Sequence, residues 1–228
     1  MATSPVRPIR SFVLRQGRTT PAQQRALEEL LPKFGLEFSA VPFSPEKLFS
    51  RNAPLVLEIG SGMGETTAAI AAEHPEADFL AVEVHGPGVG SLLNRIQSTG
   101  LMNLRVIRHD AVEVLTHMVP QAALAAIHIF FPDPWPKKRH HKRRLVQPEF
   151  VSLLAERLAA GGVIHLATDW PDYAEQMAAV FSASGLFEPG ERGFVTRPQT
   201  KFEARGRRLG HPIRDLYFRR RGKAPAAR

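Results

Sequence analysis

The sequence predicts a single α/β domain, a mostly parallel sheet with helices on both faces and an antiparallel pair of strands at the C-terminal end. Three observations lead there. Five short apolar runs, Leu55 to Ile59, Phe79 to Val84, Leu104 to Ile107, Ala125 to Phe131 and Val163 to Ala167, alternate with segments of helical periodicity. A glycine-rich turn follows directly on the first run, at Gly60, Gly62 and Gly64. The length, 228 residues, suits one sizeable core rather than two.

Each element has a local reason. Thr20-Pro21-Ala22-Gln23 has capping-box spacing with Pro at the first helical position, and Leu27, Leu30 and Leu31 give the helix an apolar face. Helices are expected at roughly 64–73, 86–98, 111–118, 148–160 and 171–184, the last carrying Tyr173, Met177, Val180 and Phe181 on one side. The strands between them read as continuous apolar runs, which is what burial on both faces requires. Beyond Gly185 the alternation stops. Phe194-Val195-Thr196 and Leu216-Tyr217-Phe218 read as two strands with no helix between them, a hairpin at the sheet edge, bringing the sheet to seven strands. Residues 1–52 are expected to form a basic arm and short helix, 53–220 the domain proper, and 221–228 a disordered basic tail.

Composition excludes several classes of function. There is no cysteine, hence no disulfide framework, no thiolate zinc site and no thiol nucleophile. No run is long and apolar enough for a membrane span and none resembles a signal peptide, so a cytoplasmic protein without membrane contact is expected. The net charge of +8 is unevenly placed. Residues 1–25 hold five Arg and no acid, 137–144 hold six Lys or Arg and no acid, and 192–228 hold twelve bases against two acids, which leaves the remainder acidic. Three positive zones on an acidic body point to a polyanion partner.

The chemistry gathers at the carboxyl ends of the strands, where open parallel sheets bind ligands. Leu57-Glu58-Ile59-Gly60-Ser61-Gly62-Met63-Gly64 is G-x-G-x-G preceded by an acid, not the G-x-G-x-x-G of a dinucleotide site. Glu58 would repel a pyrophosphate and suit a cationic amino-acid moiety; a glycine turn with no ligand is the plain alternative. The pattern resembles the cofactor loop of class I S-adenosylmethionine-dependent methyltransferases. Glu83 closes the second strand, where a carboxylate can accept from ribose hydroxyls, and Asp110 follows the third, placed to face an adenine.

The fourth strand ends in Phe130-Phe131-Pro132-Asp133-Pro134-Trp135-Pro136 and runs into Lys137-Lys138-Arg139-His140-His141-Lys142-Arg143-Arg144. With Thr168-Asp169-Trp170 and Thr200-Lys201-Phe202-Glu203, this stretch resembles the bacterial tRNA (guanine-N7)-methyltransferases, a resemblance spanning Arg10 to Phe218. It implies a Rossmann-like class I fold, S-adenosylmethionine as cofactor, and methylation of N7 of a guanosine in the variable loop of tRNA, conventionally at position 46. It implies cofactor contacts at Glu58, Gly60, Gly62, Gly64, Glu83, Asp110 and Asp133, with Asp133 the catalytic position. Substrate contacts are implied at Lys137, Asp169, Thr200, Lys201, Phe202 and Glu203, and RNA contacts at Arg139, His140, His141, Lys142, Arg143 and Arg144.

Guanine N7 has a lone pair and no proton, so the transfer needs alignment rather than a general base, and a nearby carboxylate would stabilise the charge left on the purine. Base selection must leave N7 free, which excludes the usual Arg fork on O6 and N7; carboxylates reading N1–H and N2–H2 would serve. Asp169 and Glu203 are the candidates, although Asp169 could equally cap the helix beginning at Pro171, and Trp135 could be a packing residue. His140 and His141 lie in a cationic run without the spacing of a metal site, so no metal is expected. An RNA or DNA exocyclic-amine methyltransferase and a non-catalytic RNA-binding protein on the same scaffold are the competing readings. A monomer is expected, with a homodimer as the alternative.

Overall fold

The computed structural model describes residues 10–12, 17–193, 197–198, 201–208 and 210–222. Three helices come first, α1 (Pro21–Glu29), α2 (Leu31–Phe34) and α3 (Pro45–Phe49). The capping box of α1 forms as the sequence predicts: Thr20 Oγ1 accepts from the Gln23 amide and the Gln23 side chain accepts from the Thr20 amide. The α/β alternation then runs β1 (Leu55–Ile59), α4 (Glu65–Glu73), β2 (Asp78–Val82), α5 (Gly86–Thr99), β3 (Leu104–Ile107), α6 (Ala111–His117), β4 (Leu124–Phe130), α7 (Pro148–Arg157), β5 (Leu158–Thr168) and α8 (Pro171–Ser184). A 3-10 turn, Lys138–Arg143, lies between β4 and α7.

The seven strands stand in the order β3-β2-β1-β4-β5-β7-β6, where β6 is Phe187–Pro189 and β7 is Arg214–Arg220. The first five pair in parallel, and β7 runs antiparallel to both β5 and β6. Alternating side chains send Leu55, Leu57, Ile127, Ile129, Ile164 and Leu166 to one core, sealed by α6, α7 and α8. Val56, Phe79, Ala81 and Val106 face the other, under α1, α4 and α5. The strand ends beyond Ile59, Val82, Ile107, Phe130 and Thr168 therefore form one rim.

The C-terminal part departs from the sequence expectation. The strand expected at Phe194-Val195-Thr196 lies outside the described residues, and β7 takes its antiparallel neighbour from Phe187–Pro189 instead. A helix, α9 (Lys201–Arg208), intervenes between the two strands, so they do not form a tight hairpin. Its charged sequence Lys-Phe-Glu-Ala-Arg-Gly-Arg-Arg has no apolar stripe to betray a helix, and what buries Glu203 and Gly206 is contact with the strand-end rim.

The glycine turn is fixed by packing as well as by backbone freedom. Gly64 sits at φ +75°, and a Cβ there would come within 2.6 Å of Leu92 on α5. Gly100, the left-handed cap of α5 at φ +68°, has nothing within reach of a Cβ. Gly100→Ala should thus cost about 1–2 kcal/mol, the left-handed penalty alone. Gly64→Ala should cost about 2–5 kcal/mol, because overpacking against Leu92 adds to it. Urea titration of the two variants without ligand checks the difference.

Candidate active site

A cavity of about 340 Å³ opens at the rim where β1, β2, β3 and β4 end. The β1–α4 turn supplies its floor, with Gly60 at φ +79° and Gly62 at φ +57°, conformations that a side chain would strain. A Cβ on either glycine would meet no atom within 4 Å and would project into open space. Glu83, just past β2, holds this turn in place: Oε2 accepts from the Gly62 amide at 2.8 Å and Oε1 from the His85 amide at 2.8 Å. Each carboxylate oxygen can accept again, so Glu83 can clamp the loop and still meet a ligand hydroxyl. Asp110 ends β3 and caps α6 through the Val112 amide at 2.8 Å. Beside it His109 carries the ring of Phe38 stacked at 3.9 Å.

The fourth wall is the segment after β4. Phe130, Phe131, Pro132 and Asp133 all line the cavity. Phe131 stands at φ +52° and Trp135 at φ +46°, both left-handed and both immediately before proline. A bulky residue avoids that region, and a following proline crowds it further, so each stores about 1–3 kcal/mol. Tertiary bonds hold the turn: the Phe131 amide donates to Ala167 O at 2.7 Å, and Trp135 Nε1 donates to Ser11 O at 2.9 Å. Arg143 lies over the Trp135 ring at 3.9 Å and donates to the carbonyls of Arg10 and Phe12, both at 3.2 Å. Ser11 and Phe12 complete the lining, so a piece of the N-terminal arm closes the mouth beside Asp133.

Chemically the pocket suits a ligand with hydroxyls and an aromatic base, being acidic along its walls with two glycines leaving room at its floor. The family described as "Putative methyltransferase" matches residues 52–216. Relatives named tRNA (guanine-N(7)-)-methyltransferase match almost end to end. That of Nitrosospira multiformis is 56% identical, covering 96% of this chain and 97% of its own; that of Thiobacillus denitrificans is 59% identical, covering 93% and 96%. The chain belongs to this methyltransferase family. Among solved structures, KamB, a 16S rRNA methyltransferase, superposes with a TM-score of 0.55 at 18% identity, over 79% of this chain and 95% of its own. The 16S rRNA (adenine(1408)-N(1))-methyltransferase of Catenulisporales acidiphilia gives 0.56 at 14%, over 82% and 96%. Both share the class I methyltransferase fold.

The residues singled out in the sequence fall into three groups. Gly60, Gly62, Glu83, Asp110 and Asp133 line the one cavity. Gly64 stands behind it against Leu92, and Glu58, 4% exposed, is not in its lining. Burial pushes the Glu58 carboxyl up to about 7; the neighbouring Glu83 adds to this and Thr67 opposes it. Asp169 lies against α9, the helix that carries Glu203. Asp169 does not cap α8, whose N-cap is Trp170 with no side-chain bond. It turns instead toward His211, 3.6 Å away, and against Gly206. Lys201 and Phe202 form the first turn of α9, and their side chains, with Thr200, are outside the described residues.

The basic run divides. Lys137, Arg139 and Lys142 are exposed, and His140 and His141 partly so. Arg143 is committed to Trp135 and the arm, as above. Arg144 is a correction to the sequence reading: at 2% exposure it cannot reach a phosphate. Its guanidinium donates to Pro134 O at 2.8 Å, to Gln176 and to Asp172, and lies over the Tyr173 ring at 4.8 Å. It anchors the Asp133 turn to α8. Six adjacent cations give no local sign of which one turns inward; the partners on α8 decide it.

Two outcomes follow from these environments. Glu58 has its folded pKa raised from 4.5 to about 7, so the native state binds more protons than the unfolded state in that interval. Stability due to this group is complete below pH 4.5 and is lost as pH rises through 7. Glu58→Gln should therefore be more stable than wild type at pH 8, by an amount on the order of 3 kcal/mol, and the gap should close near pH 5; thermal melts at the two pH values check it. The second concerns the run. Lys142→Ala should lower the slope of log K against log salt for RNA binding by about 0.7 to 0.9. Arg144→Met should leave that slope unchanged while depressing stability and turnover.

Proposed function

We infer that this protein transfers a methyl group from S-adenosylmethionine to N7 of a guanosine in tRNA. What carries the reading is the set of relatives named for that activity, 54 to 59% identical over 92 to 96% of the chain. The cavity supports it, since its residues suit this cofactor. Gly60 and Gly62 leave their side-chain space open, Glu83 can accept from ribose hydroxyls, and Asp110 beside His109 in the same lining can accept from an adenine amine. No phosphate-binding groups are needed. Glu58, one layer behind the loop, favours a cation there and would be ionised by it. When bound, the cofactor supplies an electrophilic methyl on a sulfonium.

The protein's own residues then have four tasks. The turn carrying Asp133 orients the guanine edge toward the cavity, and its rigidity fixes the approach. Alignment of this kind can supply up to about 7–11 kcal/mol of the barrier. Asp133 stabilises the positive charge that develops on the purine and takes up no proton, because N7 has none to give. Asp169, against Gly206 of α9, and Glu203 on the same helix are the acceptors proposed for N1–H and N2–H2, so adenine would leave both unsatisfied. Lys137, Arg139 and Lys142, exposed beside the site, grip the phosphate backbone. The target in the variable loop, a cytoplasmic location and a monomeric working form belong to the same reading, as does a single catalytic domain over 53–220 preceded by its arm.

Labelled methyl transfer to bulk tRNA followed by nucleoside analysis should yield 7-methylguanosine; a methylated exocyclic amine as the sole product would sink the assignment. Asp133→Asn should bind tRNA normally and transfer methyl about 100-fold more slowly in a single turnover. The wild-type rate should show no tenfold rise per pH unit attributable to a base, and Asp133→Ala should be slower still.

A further inference from the structure

Arg197 lies outside every motif of the sequence, yet its guanidinium joins four elements. Nε and Nη2 donate to the two oxygens of Asp215 on β7, each at 3.2 Å, and Nη1 donates to Glu203 Oε2 on α9. The same plane lies over the rings of Phe130 and Phe131, 5.7 and 5.5 Å from their centres. Asp215 in turn accepts from His165 Nε2 on β5 at 2.7 Å. The side chains of Arg197 and Glu203 are only 6% and 7% exposed. Breaking a buried pair of this kind by removing one partner leaves an uncompensated charge, so its partners are fixed in direction.

The charges sort themselves clearly. Burial opposes ionisation of Asp215, but bonds from His165 and Arg197 outweigh it and hold the carboxyl down at about 2. His165 is pushed below its ordinary value, chiefly by burial. The cluster is thus one guanidinium serving two carboxylates. Only a planar fork can serve two acids on different elements while stacking on aromatic faces; an ammonium is a point charge. Glu203 and Gly206, one helical turn apart, face inward together, with Gly206 against Asp169. The group that orients Glu203 also touches Phe131, whose left-handed backbone starts the Asp133 turn.

We propose that Arg197 is a specificity-determining positioning residue, which holds Glu203 as an acceptor for the amino edge of the target guanine and couples that reading to the turn carrying Asp133. The proposal rests on the function inferred above. Loss of Arg197 would remove its bond to Glu203 and uncouple base selection from alignment, while Glu83 and Asp110 keep their bonds to Gly62, His85 and Val112.

The test compares two tRNA transcripts, one with guanosine at the target and one with inosine, which keeps N7 and N1–H and lacks the 2-amino group. Wild type should make 7-methylguanosine on the first and prefer it in kcat/KM by about 10- to 100-fold, the worth of a hydrogen bond to a charged group. No methylation of the guanosine transcript by wild type would overturn the function itself and this proposal with it. Given wild-type activity, Arg197→Met should lose most of its rate on guanosine and little on inosine, so that the ratio falls toward one, while S-adenosylhomocysteine binds as before. Arg197→Lys, which keeps the charge and the fold, should give an intermediate ratio and decides the matter if the Met variant does not fold. Arg197→Met and Glu203→Gln combined should be no worse than Glu203→Gln alone. An unchanged guanosine-to-inosine ratio in both Arg197 variants, with both substrates slowed equally, would overturn the proposal while leaving the enzyme's function intact.

Discussion

The turn from Phe131 to Trp135 is the constraint on which the site depends. Two aromatic residues are held left-handed, each before a proline, between a buried strand and an exposed basic segment. Such a backbone would relax if it were free. It stays because its ends are tied from three directions: Phe131 to the neighbouring strand at Ala167, Pro134 to the buried Arg144, and Trp135 to the arm at Ser11. The prolines remove donors and fix torsions, so few alternatives remain once those ties form. Asp133, between them, takes its place in the cavity from a turn that is tied on both sides.

Two arginines give the site its shape from within. Arg144 and Arg197 are both buried, and each bridges groups that are far apart in sequence. A buried guanidinium is expensive unless all its faces are met. Here Arg144 donates to one acid and Arg197 to two, and each lies over aromatic rings, Tyr173 for Arg144 and the Phe130–Phe131 pair for Arg197. The exposed cations of the same chain have a different role. Lys137, Arg139 and Lys142 are exposed, which suits long-range attraction of a polyanion rather than fixed geometry. Charge of one sign thus divides, by burial, into a frame and the grip proposed above.

The opposite wall follows a different logic. Glycines at positive φ let the β1–α4 turn bend tightly, and Glu83 fastens it through two amides. Glu58, under the same turn, is kept from ionising easily by burial. An acid held in that state would be ionised by a cation brought near it. Loop and acid together favour a zwitterionic, phosphate-free cofactor over a dinucleotide.

Much was legible in the sequence, because it depends on local pattern. Apolar runs of strand length, the capping box at Thr20, the glycine turn and the acids after successive strands all follow from spacing, and Gly60, Gly62, Glu83, Asp110 and Asp133 do meet at one cavity. What spacing does not carry is the direction of a side chain whose partner lies far along the chain. Arg144 looked like the last of six cations and is buried against α8. Asp169 had the position of a helix cap and turns to α9, a helix whose sequence has no apolar face. Arg197 had no motif at all, and finds Asp215 eighteen residues away on an antiparallel strand inserted between β5 and β6. The sequence by itself determined the α/β alternation from β1 to α8 and the chemistry along the strand ends, since both are properties of neighbours. Only the tertiary structure decided which charges are buried and paired, because the free energy of a buried charge depends on partners that the fold alone brings within reach.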